Sequence, residues 1–190
     1  MQHDTVIDMS VHIALFRGIN VGGKHLLPMK ELVAIFERLG ARSVKTYIQS
    51  GNVAFALSGK DVSHFTTRVR AEIGKRYGFE PAVMALGLDD IDRVIRENPF
   101  PEGEKEPRSL HAGFLASTPE RPDLGMLESL RSERERFRLL GQVFYLYAPD
   151  GIGRSKLATQ AERALGVAMT DRNWRTVRAL WDMARVIDAA

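Results

Sequence analysis

The chain has 190 residues, 44% hydrophobic and 27% charged, with a net charge of +3 and a pI of about 9.3. That mix belongs to an ordinary globular chain of one large or two small domains, and its mild basicity permits an anionic partner without demanding one. Cysteine is absent, which excludes disulfides, thiolate nucleophiles and Cys-based metal sites, and no apolar run reaches the roughly 18 residues that span a bilayer.

The opening MQHDTVIDMS carries two acids and no apolar core, so it does not read as a signal peptide. Met9 directly precedes the first strand-like run, so translation starts at Met1 or Met9, with residues 1–8 an optional extension. A cytoplasmic protein with no membrane partner is expected. SVHIALFRG (10–18) is a buried strand. Pro28 opens PMKELVAIFERLG, where Leu32, Ile35, Phe36 and Leu39 recur at helical spacing before Gly40 ends the helix. VKTYIQSGNVAFAL (44–57) is a hairpin turning at QSGN. DVSHFTTRVRAEIGKRYG (61–78) is a helix with Val62, Phe65, Val69 and Ile73 on one stripe. PAVMALGL (81–88) is a strand, and LDDIDRVIRENPF (88–100) a short helix stopped by Pro99.

The polar, proline-rich PEGEKEP (101–107) reads as a linker. Beyond it come a strand SLHAGFLAS (109–117), a helix RPDLGMLESLRSE (121–133) and paired strands ERFRLLG and QVFYLYAP around Gly141. Two helices follow, GRSKLATQAERALG (153–166) and TDRNWRTVRALWDMARVI (170–187), the second capped by Thr170 or Asp171. The order predicts an α+β fold, an α/β two-layer arrangement of two similar ferredoxin-like βαββα(β) subdomains packed together. The first subdomain takes residues 1–100 with its linking helix, and the second 101–190 with an extra C-terminal helix.

Chemistry concentrates at glycine- or cation-marked turns. GINVGGKH (18–25) has the G-x-x-x-x-G-K frame of a phosphate-gripping loop, but His25 stands where Ser or Thr would hold Mg²⁺, and Leu26 and Leu27 separate Lys24 from the helix at Pro28. A nucleotide P-loop is therefore rejected. Two readings remain: glycine-turned amides bracketed by Arg17 and Lys24 as an anion site, or a loop that only joins strand to helix. PDGIGRSKL (149–157) puts Arg154, Ser155 and Lys156 at a helix start, where cations oppose the helix dipole and an anion would compensate them; solvation or ion pairs would do so equally. TDRNWRTV places Arg172 and Arg175 beside Trp174, a grip for phosphate next to a base or a terminal helix anchored in its core. Seven basic and four acidic side chains lie between 151 and 190, a surplus of three that equals the net charge of the whole chain. The five histidines are scattered, with His12 and His111 reading as satisfied strand residues. Asp89, Asp90 and Asp92 read as helix-capping acids. No metal site, cofactor or catalytic residue is assigned.

IALFRGINVGGKHLLPMKEL, TYIQSGNVAF, GIGRSKL and TDRNWRTV together resemble the ordered blocks of domain-of-unknown-function family 1697, over residues 11 to 185. The resemblance implies an α/β protein of two related subdomains and supplies no activity. The matching positions include Arg17, Gly18, Asn20, Gly22, Gly23, Lys24, Gln49, Ser50, Asn52, Arg154, Ser155, Lys156 and Arg172. With Arg175 these form the candidate ligand-binding set, whose expected partner is a phosphate-bearing small molecule or a nucleic acid. The alternatives are an enzyme acting on a small phosphorylated or carboxylated metabolite, and a scaffold without ligand chemistry.

Overall fold

The computed structural model describes residues 9–59 and 61–190. His3 and the choice between Met1 and Met9 fall outside these. By its contacts the chain divides into two compact units, one of the described residues up to Asp92 together with Ala179–Ala190, the other Arg93–Arg178. Among the described residues no helix is long and apolar enough to cross a membrane.

The first unit is built from β1 (Met9–Arg17), α1 (Met29–Arg38), β2 (Arg42–Tyr47), β3 (Asn52–Ser58), α2 (Val62–Tyr77), β4 (Ala82–Gly87) and the start of α3 (Leu88–Arg96). Its antiparallel sheet has the order β2-β3-β1-β4. The two central strands are buried on both faces, Val11–Phe16 in one and Asn52–Leu57 in the other, which is why they read as continuous apolar runs. α1 buries Leu32, Ile35 and Phe36, one helical stripe, and α2 buries Phe65, Val69 and Ile73 at four-residue spacing. Phe36, Phe55 and Phe65 meet with ring centroids 5.0 to 5.3 Å apart. Each buried ring contributes about 1.5–3 kcal/mol by leaving water. Asp61 caps α2 by accepting from His64 N, and Gly78 closes it in the left-handed conformation.

The acids of α3 hold structure. Asp90 accepts from Gly87 N at 3.0 Å, and Asp92 accepts from the Trp181 indole while Arg185 lies over that indole.

His12 departs from expectation. It is 8% exposed with its ring 5.7 Å from Phe55, yet among the described residues neither ring nitrogen has a hydrogen-bond partner. The alternation that buries a strand side chain does not supply it with a partner. Burial pulls its pKa below the ordinary 6.5, against the opposing pull of Asp90. The unfolded chain therefore takes up a proton that the folded chain resists, and stability falls as pH drops below 6.5. His12→Leu is expected to raise unfolding free energy by about 1–2 kcal/mol at pH 7.5 by removing an unsatisfied polar ring. Urea titrations at pH 7.5 and 5 should show a larger gain at pH 5, and an equal gain at both would contradict the assignment.

The second unit continues with the end of α3, then β5 (Leu110–Leu115), α4 (Leu124–Leu130), β6 (Arg136–Leu140), β7 (Val143–Tyr147), α5 (Lys156–Leu165), β8 (Met169–Asn173) and the start of α6 (Trp174–Asp188). Its antiparallel sheet runs β6-β7-β5-β8, the same topology as the first. Both halves are thus βαββαβ, the ferredoxin-like arrangement expected. Leu127, Phe144, Leu146, Leu157, Ala161 and Leu165 form the core between this sheet and its helices.

Two segments differ from the sequence reading. PEGEKEP is not an open linker: Pro101–Lys105 is a 3-10 turn whose Gly103 is buried against Leu110 and Tyr147. Residues 170–173 are not the first turn of a helix but the edge strand β8, paired with β5. An edge strand with one wet side tolerates Asp, Arg and Asn, and pairing overrides their poor strand propensity. The helix cap moves to Asn173, whose Oδ1 accepts from Thr176 N at 3.0 Å. Arg172 and Arg175 consequently do not share a helix face. Trp174 is buried as a core residue, while Trp181 is partly exposed.

Candidate functional site

Sheet register alone brings two of the four marked blocks together. Leu15 of β1 stands opposite Asn52 of β3, so the loop leaving β1 begins beside the β2–β3 hairpin. Phe16 N donates to Gly51 O at 2.8 Å across this junction. Asn20 then fastens the loop: its amide donates to Gln49 O at 2.8 Å and to Leu27 O at 2.9 Å, while its Oδ1 accepts from Leu27 N at 2.8 Å. One side chain thus holds both ends of the 20–27 loop and the hairpin opposite.

The near P-loop is a small hairpin. Gly22 and Gly23 both have positive φ, and Lys24 N donates to Val21 O, the pattern of a two-residue type I′ turn. Asn20 N donates to His25 O one step further down. The amides of Asn20, Lys24 and Leu27 are therefore spent inside the loop, and α1 starts separately after Pro28. Those three amides are not available to an anion, and Arg17 and Lys24 are the exposed cations that flank the loop. His25 stacks on Phe79 at 4.6 Å and bonds Gly18 O through Nδ1.

The two segments that build this surface carry cations and no acids. No acid occurs between residues 9 and 30 or between 38 and 59, while Arg17, Lys24, Arg42 and Lys45 are all exposed. Three exposed aliphatic residues accompany them: Val21 at 62%, Leu26 at 64% and Ile48 at 54%. Each is a chain neighbour of a group in the Asn20 network. Ile48 also has φ +49, a conformation a β-branched residue adopts only at a cost of about 1–3 kcal/mol.

The candidate residues divide by what their side chains do. Asn20, Ser50 and Asn52 hold the turns: the fully buried Asn52 donates from Nδ2 to Tyr47 O and to Ser50 Oγ. Gln49 contributes its backbone carbonyl and leaves its side chain exposed. In the second unit Ser155 is buried as the N-cap of α5, accepting from Ala158 N at 2.9 Å. Arg154, Lys156 and Arg175 are exposed. Arg172 is partly buried, donates to Asp171 O, and burial brings its guanidinium down to about 10 against the pull of Asp171. These residues lie where β7, β8 and the start of β5 meet, the sheet end opposite the β6–β7 hairpin. They are not the topological counterparts of the 17–24 and 49–52 blocks.

His111 is satisfied, as expected: Nδ1 faces Asp171 Oδ2 at 2.8 Å and Nε2 faces Arg108 O at 3.1 Å. Ser109 lies close by in sequence, but its hydroxyl donates to Glu106 O and the His111 Nε2 is turned to a backbone carbonyl. Ser109, His111 and Asp171 therefore do not form a nucleophile–base relay. Among the described residues no group of three or more His, Asp or Glu side chains is placed to hold a metal ion. Sequence reasoning missed Arg108 and Lys45, which carry no motif.

The profile of a family described as "Protein of unknown function (DUF1697)" matches residues 9–145. Comparison with curated proteins gives no match. Among solved structures, the conserved bacterial protein SP0830 from Streptococcus pneumoniae is similar, with a TM-score of 0.64 and 24% identity over 93% of this chain and 99% of that one. That likeness speaks for the fold alone.

Proposed function

This chain belongs to the family of proteins of unknown function DUF1697, and we propose that its N-terminal loop pair binds a phosphate-bearing ligand, a nucleic-acid strand in preference to a free nucleotide. The observation that carries this reading is a pair of acid-free segments in which Asn20 locks the 17–24 loop to the 49–52 hairpin and Arg17, Lys24 and Lys45 are exposed. Cations spread over an open pair of turns suit phosphates repeated along a backbone, and side-chain cations at the surface steer a polyanion without enclosing it. Val21, Leu26 and Ile48 add apolar contact beside them, and the locked loops lower the ordering cost of binding.

Binding of a short single-stranded oligonucleotide, followed by fluorescence anisotropy across a salt series, tests it. Arg17→Ala and Lys24→Ala should each weaken binding and reduce the slope of log K against log salt by about 0.7, the increment for one phosphate contact on a single strand. Folded variants that bind with unchanged slope would refute the assignment of these two cations. A shallow slope in the parent would instead favour a ligand with one phosphate.

A further inference from the structure

The second unit holds a cavity that this reading does not use. It has a volume of about 550 Å³ and is lined by Glu106, Pro107, Arg108, Ser109, Ala148, Pro149, Gly151 and Arg175. That volume lies within the usual range for small-molecule sites. Its walls are fixed before any ligand arrives. Glu106 O accepts from both the amide and the hydroxyl of Ser109, Ala148 N donates to Ser109 O at 2.7 Å, and Gly151 N donates to Ala148 O. Arg108 is held through its carbonyl by His111, whose other nitrogen faces Asp171.

The lining combines two chemistries. Pro107, Ala148, Pro149 and Gly151 offer apolar wall without hydrogen-bonding side chains. Arg108 and Arg175 bring two cations against the one carboxylate of Glu106, and among the described residues neither guanidinium has an ion-pair partner. In the same unit Arg131, Arg134 and Arg136 each have one, in Glu128, Asp150 and Glu102. Sheet register explains why the two meet: His111 pairs with Asn173, so the segment before β5 and the first turn of α6 lie side by side. Asp171, the acid nearest in sequence to Arg175, faces His111 instead. Arg175 also stands in the first turn of α6, where the helix dipole favours a negative charge.

We propose that this cavity is a binding site for a small anionic molecule with an apolar body, its carboxylate or phosphate taken by Arg108 and Arg175 and its body laid against Pro107, Ala148 and Pro149. Guanidinium forks suit either oxyanion, and the prolines favour a flat or short-chain body. The site is independent of the N-terminal loop pair, so either assignment can fail without the other.

Isothermal titration of the full chain with benzoate, phenyl phosphate, neutral benzamide and inorganic phosphate tests it. At least one of the two aromatic anions should bind saturably, about tenfold or more tightly than benzamide and inorganic phosphate, because both the charge and the body contribute. The preferred anion identifies the headgroup. Arg175→Gln and Arg108→Gln should each weaken it by about tenfold, while Arg163→Gln, an exposed position on α5 outside the lining, should leave it unchanged. Failure of both aromatic anions to saturate, benzamide binding as tightly as they do, or undiminished binding by the folded Arg108→Gln/Arg175→Gln double variant would each overturn the proposal.

Discussion

Gly51→Ala is expected to destabilise the chain by about 2–4 kcal/mol, the sum of left-handed backbone strain and overpacking. Gly51 has φ +69, and a Cβ placed there would sit 2.5 Å from Phe16 Cβ and 2.6 Å from Ile19 Cδ1. Phe16 and Ile19 are both buried in the core under α1 and α2, so neither can withdraw without opening a cavity elsewhere. The same residue's carbonyl accepts from Phe16 N. A shift of the hairpin therefore also breaks the bond that seats it against β1. Urea denaturation measures the loss. A change below about 1 kcal/mol would mean that the hairpin moves aside without cost, and that its seating on β1 is not what the register implies.

Asn20→Ala should cost a similar amount, about 2–4 kcal/mol, through three lost hydrogen bonds and the strain of alanine at φ +54. Its effect on ligand binding should exceed its effect on exposed charge, since no cation is removed. Asn20→Asp separates these roles further. It keeps an acceptor for Leu27 N, turns a negative group toward the carbonyls of Leu27 and Gln49, and introduces an acid into a segment that has none. Hydrogen exchange at the Leu27 amide reports the local opening: protection should fall in both variants and most in Asn20→Ala, where the acceptor is gone. If oligonucleotide binding survives in Asn20→Ala while Leu27 loses protection, the locked loop pair is not the binding surface.

The elements of the first half were legible because their signals are local. Pro28 before a helical stripe, the Val62, Phe65, Val69 and Ile73 stripe of α2, and the apolar runs of β1 and β3 each follow from nearest neighbours. Asn20 shows where legibility stops. Its tolerance of a left-handed conformation could be read from residue type, but its partners lie 7 and 29 residues away and are fixed only by sheet register. His12 and His111 look alike in sequence, and what separates them is that Asp171 faces one from β8 while the ring nitrogens of the other have no hydrogen-bond partner among the described residues. Residues 170–173 read as a helix start because Thr-Asp ahead of an amphipathic stretch is a sound local cap signal. The competing strand pairing with β5 is non-local. Arg108 had no signal at all; only the folded sheet puts it beside Arg175.

The edge strand β2 has a consequence for how the molecule behaves in crowded solution. Its ladder to β3 is interrupted between Arg42 and Lys45, with Ser43 at φ +50, and both cations are exposed. An unpaired strand edge invites a strand from another molecule, and a kink with outward cations is how such an edge is made unattractive. Apart from the phosphate contact proposed for it, exposed Lys45 places a charge on this edge that disfavours edge-to-edge pairing of copies. Neutralising it trades colloidal stability for nothing in the fold, so a precipitating Lys45 variant would report on association between molecules and not on the integrity of any one of them.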